Sequence, residues 1–233
     1  MIRLLADSFS WGTFPDAIRF IADNPGLLWH KSVQHMELSG AAIGIALLLA
    51  LPLGVVLGHL RRGSFVAISV SNLGRALPSL VLIAFALFVS GHFFVNNMAA
   101  LVVLGVPPIL TNAYFGIEDV DRNIVEAARG MGMSGRDILF RIELPLALPL
   151  IIAGIRIAAV FIIATATIAA VAGGGGLGDV IVNQATYHLS GVVGASLVVS
   201  LLAFGAALLL ALVRKLLICQ LDSAGGHCIS APC

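Results

Sequence analysis

Residues 117–145 read IEDVDRNIVEAARGMGMSGRDILFRIELP, and the fold turns on how this stretch is taken. It gathers Glu118, Asp119, Asp121, Arg122, Glu126, Arg129, Arg136, Asp137, Arg141 and Glu143. So much charge belongs in water, because ionised side chains are costly inside hydrocarbon. Ile124, Ala127, Ala128 and Met131 recur at helical spacing, while Arg122, Glu126 and Arg129 are placed to pair along one turn. Asp121 suits an N-cap, and Gly132 suits the left-handed residue that stops a helix. Ser134 followed by Asp137 starts a second helix, in which Asp137 can pair with Arg141, and Ile138, Leu139 and Ile142 form an apolar stripe. Pro145 fits the first turn of the helix that follows. The stretch is predicted to be a helix-turn-helix too polar for lipid and too small to fold alone.

Outward from it the chain is apolar. Of the 233 residues 59% are hydrophobic and 11% charged, with a mean hydropathy of +1.05, against about 25% charged in soluble domains. A membrane-spanning helix needs about 20 apolar residues. Five stretches qualify: Met36 to Leu60, Ser64 to Ser90, Asn97 to Gly116, Leu146 to Ala172 and Gly191 to Val213. The number becomes six if Pro78 splits the second, because proline removes a helix donor and disfavours helical geometry at Leu77. Pro107, Pro108 and Asn112 weaken the third, and such interruptions are tolerated where protein or a water-filled cavity satisfies the freed backbone. They point to a pathway. The fold class is an all-α integral-membrane bundle, one domain over residues 1–233. Gly40 with Gly44 and Gly54 with Gly58 are read as ordinary close helix packing.

Placing Arg61, Arg62, Arg122, Arg129, Arg136, Arg141, Arg214 and Lys215 on one side leaves Arg3, Arg19 and Lys31 on the other. Lys and Arg accumulate in cytoplasmic loops. The N-terminal segment 1–35 is therefore expected outside, with the 117–145 loop and the 216–233 tail in the cytoplasm. Residues 1–30 lack the charged-then-apolar order of a signal peptide, so the first span directs insertion. The net charge of +1 gives no reason to expect nucleic acid. Cys219, Cys228 and Cys233 have neither the spacing of a metal site nor a prenylation pattern, and the tail is assigned no function.

Glu126-Ala127-Ala128, then Gly132, then Ile142, Leu144 and Pro145 resemble, with its spacing, the EAA motif of bacterial ABC-importer membrane subunits. The resemblance implies a type I importer permease, with a short coupling helix seated in a groove of a separate ATP-binding-cassette ATPase. Glu126 and Arg129 would supply polar contacts, and Ala127 and Ala128 would allow close approach. It also implies an extracytoplasmic substrate-binding protein, a bacterial cell membrane, and a second permease copy or related permease, since an ATPase dimer has two grooves. The chain has no Walker lysine motif, so ATP is used by the partner and this chain is neither an enzyme nor a cofactor carrier.

Three further segments are similar to the osmoprotectant branch, importers of glycine betaine, choline, carnitine or proline. They are Leu51-Pro52-Leu53-Gly54, the run from Gly74 through Arg75, Pro78 and Ser79 to Leu80, and the run from Thr165 to Ala170 with Gly173 to Gly178. A methionine or other amino-acid importer remains the alternative, since it would share the loop. Candidate path or gate residues are Arg75, Pro78, Ser79, Asn112, Arg156, Gly174 and Gly175. Arg75 and Arg156 lie deep in apolar sequence, where structural pairing or snorkelling fits better than substrate contact, since a fixed cation repels choline. The glycine run from Gly173 to Asp179 lacks the lysine of a P-loop and is expected to be a flexible turn bearing on gating. Trp11, Trp29, Tyr114 and Tyr187 form no evident cage for a quaternary ammonium, so high-affinity recognition is assigned to the binding protein. A membrane protein that merely recruits a partner would not need interrupted spans, and an ion-driven carrier would show internal repeats that are absent here.

Overall fold

A computed structural model describes residues 12–61, 63–76 and 93–224. These form α1 (Thr13–Asp23), α2 (Pro25–His59), α3 (Ser64–Ala76), α4 (Phe93–Glu118), α5 (Arg122–Gly130) and α6 (Gly135–Ile138). A π-helical turn, Leu139–Glu143, leads into α7 (Leu144–Ala169), and a 3-10 turn, Ala170–Ala172, precedes α8 (Gly178–Val182) and α9 (Gln184–Ala224). Among the described residues four helices are long and apolar enough to cross a membrane: Pro25–His59, Asn97–Glu118, Gly135–Ala169 and Gln184–Leu217. The remaining expected span begins with α3 at Ser64, and its continuation, with Pro78 and Ser79, lies outside the described residues.

The first span starts at Pro25 rather than Met36, so the expected outer segment 1–35 already contains the opening of a 35-residue helix. At about 1.5 Å per residue that helix exceeds the roughly 30 Å of hydrocarbon it must cross. α9 continues helically past Arg214 and Lys215 to Ala224, into the expected tail. α9 is interrupted once, at His188, whose φ of 56° and ψ of 177° separate a first turn from the long remainder.

Among the described residues the prolines inside the long helices do not break them. α4 runs through Pro107 and Pro108, α2 through Pro52 and α7 through Pro149. Helices in membrane proteins carry proline where neighbouring groups satisfy the freed backbone.

The helices divide between two compact units. One contains residues 12–44, 93–104 and 160–204 among those described. It buries Leu38, Leu101, Leu104, Ile162, Ile163, Leu177 and Val180. The other contains residues 45–61, 63–76, 105–159 and 205–224. Its core is Ala113 and Ile117 of α4 with Ala147 and Ile151 of α7, covered by Leu51 and Val55 of α2. Glycine makes that contact close: a Cβ on Gly54 would stand 2.7 Å from the Leu110 carbonyl oxygen, and one on Gly58 would stand 2.8 Å from that of Tyr114. Gly54 and Gly58 are thus the packing pair expected. Among the described residues nothing lies within 4 Å of a Cβ built on Gly40 or Gly44. The most apolar window of α4 is 61% buried and that of α9 only 6%. α4 is therefore a core helix, and α9 offers its surface to lipid or to another chain.

Candidate functional site

The charged stretch between α4 and α7 is built from its caps. Asp121 Oδ1 accepts from the Asn123 backbone N–H at 2.9 Å, which starts α5. At its other end the Met133 N–H reaches the Ala128 carbonyl at 3.1 Å and the Gly132 N–H reaches that of Arg129 at 2.9 Å. This pair of bonds is a Schellman motif, and it requires a left-handed residue at Gly132, whose φ is +83°. Ser134 Oγ accepts from the Asp137 N–H at 3.2 Å and opens α6. Arg141 Nε stands 3.5 Å from Asp137 Oδ1.

α6 does not stop before the following span. Gly135 to Ala169 is one continuous helix, widened at Leu139–Glu143, where the Leu144 N–H bonds to the Leu139 carbonyl five residues back. Pro145 has no N–H and its ring collides with a carbonyl four residues earlier. The widened turn opens the helix where Arg141 would otherwise present that carbonyl.

The two faces of α5 differ. Val125 and Ala128 are buried and cluster with Val120 and Ile138, with Met133 and Ile142 beside them. Ile124, Ala127 and Met131 are exposed, Met131 at 76%. The apolar stripe read from the sequence is thereby split: its own chain covers Ala128, and the rest faces outward. Glu126, Arg122 and Arg129 are also exposed, and the ion pairs expected among them do not form among the described residues. Instead Arg61, Arg122, Val125, Glu126 and Arg129 line a recess of about 220 Å³. Leu144 and Pro145 lie half-buried at the start of α7.

Three residues that sequence reasoning did not single out fasten this segment to the end of α2. Arg61, at a positive φ of 49°, donates from Nη2 to the Val120 carbonyl at 3.2 Å. His59 Nδ1 lies 2.5 Å from Glu143 Oε2, and Glu143 is only 2% exposed. Glu143 reads in the sequence as one more charge of a hydrophilic loop, and only its place beside Leu144 and Pro145 hints otherwise.

The path candidates do not share one setting. Arg75 falls on α3, while Pro78 and Ser79 are outside the described residues. Asn112 donates from Nδ2 to the Pro108 carbonyl at 2.7 Å. Its Cβ is so near α7 that a Cβ on Gly154 would stand 2.5 Å away. Arg156 is exposed midway along α7 and forms no ion pair among the described residues.

Gly174 and Gly175 belong to a turn that is packed, contrary to the flexible turn expected. Gly173, Gly175 and Gly176 hold φ of 71°, 74° and 75°. A Cβ on Gly174 would meet the Ala169 carbonyl oxygen at 2.7 Å, and one on Gly175 would meet Gln34 Nε2 at the same distance. Gln34 Oε1 accepts from the Gly176 N–H at 2.9 Å, and Lys31 Nζ reaches Asp179 Oδ2 at 2.6 Å. His35 donates from Nε2 to the Ile163 carbonyl at 2.9 Å. The signal for this contact was the polar spacing Lys31, Gln34, His35 on the first helix. Trp29 stands exposed in an open groove with Ser32, Val33, Met36, Glu37 and Leu202. Tyr187 meets Phe20 edge-on and Tyr114 is fully buried, while Trp11 lies outside the described residues.

Solved structures place this architecture in a class. The inward-facing MetNI methionine ABC transporter matches with a TM-score of 0.72 at 18% identity, covering 83% of this chain and 98% of that one. An amino acid ABC transporter with histidines matches at 0.69 and 20% identity, over 84% and 96%. At such identities the likeness establishes the fold: a type I ABC-importer permease. The family follows from sequence. Residues 33–218 match the binding-protein-dependent transport system inner membrane component, and the chain belongs to that family of multi-pass membrane permeases. Among curated relatives, the choline transport system permease protein OpuBB of Bacillus subtilis (strain 168) is 37% identical over 85% of this chain and 92% of its own length. The glycine betaine/carnitine/choline transport system permease protein OpuCB of the same organism is 37% identical over 79% and 85%. The carnitine transport permease protein OpuCB of Listeria monocytogenes is 33% identical over 80% and 86%.

Proposed function

We propose that the chain is the membrane-spanning subunit of an ATP-driven osmoprotectant importer carrying choline, glycine betaine, carnitine or proline. The loop docks a separate ATPase in the cytoplasm, and a binding protein delivers substrate on the opposite face. The observation that carries the coupling role is the division of α5: one face is closed by Val120, Val125, Ala128 and Ile138, while Ile124, Ala127 and Met131 stay bare beside Glu126 and Arg129. A helix of nine residues gains little stability of its own. Here caps and an inner core hold it rigid, leaving its outer face free for a partner. The osmoprotectant assignment is supported by the names of the relatives, which agree with the similarity of Leu51 to Gly54 and Thr165 to Gly178.

One chain offers one docking helix, so two copies, or this chain with a related permease, complete the transporter. The N-terminus lies outside and the loop and C-terminus in the cytoplasm. Reconstitution with the ATPase and binding protein in liposomes tests the whole reading: ATP-dependent uptake of choline, betaine, carnitine or proline is expected. Uptake of methionine alone would move the chain to the amino-acid branch.

A further inference from the structure

Of the two ties between the charged segment and α2, one is buried. Glu143 closes the π-turn at 2% exposure and meets His59 Nδ1 at 2.5 Å, across 84 positions of sequence. A buried carboxylate holds its place only with a hydrogen-bonding partner, and removing that partner leaves an uncompensated charge. Its location is also distinctive. Single π-turns inside helices gather at functional places, and this one lies between the docking segment and the span that follows it.

His59 bonds to that segment at Glu143 and lies beside its first residue. Nδ1 meets Glu143, and Nε2 stands 3.8 Å from a Cβ built on Gly135, at the first residue of α6. The end of the stretch 135–143 is thus held by an imidazole on the last turn of α2, which also stands next to its beginning. The apolar contacts of Leu51 and Val55 with the Ala113, Ile117, Ala147 and Ile151 core are non-directional and allow sliding. A hydrogen-bonded pair fixes register.

We infer that His59 and Glu143 are a positioning pair that carries a displacement of the docking segment into α2, so that α2 and α7 respond together when the partner ATPase closes. Without it, force on α5 would pass through the turn at Gly132 into the helix that runs on as α7, and α2 would follow only through apolar contacts and the Arg61 bond to Val120, which does not touch that helix. This inference rests on the coupling role proposed above.

The test uses the full transporter, with ATPase and binding protein, in proteoliposomes, reading assembly, ATP hydrolysis and substrate taken up per ATP hydrolysed. The double variant His59→Leu with Glu143→Leu removes both hydrogen-bonding partners together, a replacement that buried polar pairs commonly tolerate. It is expected to assemble and hydrolyse ATP, with uptake per ATP falling roughly tenfold, within the range of coupling between linked sites. His59→Leu alone should fall at least as far. His59→Asn, whose side-chain amide can donate from near the position of Nδ1, should recover most of the loss. Unchanged uptake per ATP in the double variant overturns the inference, and so does a loss confined to assembly, because either leaves the pair a purely structural role. Failure of the unmodified chain to bind the ATPase would instead remove the coupling reading itself.

Discussion

Gly132 isolates a backbone effect. Its φ is +83° and among the described residues nothing lies within 4 Å of a Cβ built there, so an added side chain meets strain but no collision with them. Gly132→Ala is expected to cost about 1–2 kcal/mol in the local stability of the loop, and Gly132→Asn less, since asparagine tolerates the left-handed region. ATPase affinity of the purified permease, ranked Gly above Asn above Ala, checks this; equal affinities would mean the Schellman turn does not hold the docking face. Truncation of the buried pair has a different signature. His59→Ala removes a hydrogen bond to a charged group, a loss of about 1.5–3 kcal/mol, to be read as a lower thermal midpoint of the permease. The caps at Asp121 and Ser134 and the stop at Gly132 were legible in the sequence because each is settled within a few residues. Glu143 was not, because its partner His59 and the tie from Arg61 to Val120 come from another part of the chain.

At the scale of elements, the same distinction separates what α5 shows from what it hides. Ile124→Asp and Met131→Asp alter exposed positions, so the permease should fold normally and lose ATPase binding. Val125→Asp places a charge in the cluster of Val120, Ala128 and Ile138, and should melt the loop itself, visible as protease sensitivity near residue 125. If Met131→Asp binds the ATPase as the unmodified chain does, the outward face is not the docking face. The helix crossings permit an equally sharp contrast. Gly58→Ala drives a methyl to 2.8 Å from the Tyr114 carbonyl oxygen, while Gly44→Ala meets nothing among the described residues. The first should lower the thermal midpoint by the equivalent of about 1–3 kcal/mol, and the second should leave it unchanged. Periodicity revealed both glycine pairs but could not say which one packs within the chain. Proline misled in the same way: Pro107 and Pro108 read as a break, yet α4 stays whole within its packing, with the Asn112 amide bonded back to Pro108.

For the whole molecule the remaining question is which side of the membrane each end of α7 occupies. Met131 lies on α5, before the continuous helix Gly135–Ala169, and Ala185 lies beyond it, near the start of α9. On the proposed reading one crossing, by α7, separates them and puts them in opposite compartments. The proposed orientation rests on charge: Arg122, Arg129, Arg136 and Arg141 stand on the Met131 side, while the segment from Gly173 to His188 contains no Lys or Arg. With Cys219, Cys228 and Cys233 replaced by serine, Met131→Cys should react with a membrane-impermeant maleimide only in inside-out vesicles, and Ala185→Cys only in right-side-out ones; both positions are exposed. Labelling of both from one side would deny that α7 crosses. The reverse pattern would put the docking helix away from cytoplasmic ATP, and no ATPase could then drive transport through Glu126 and its neighbours, however well the motif matches.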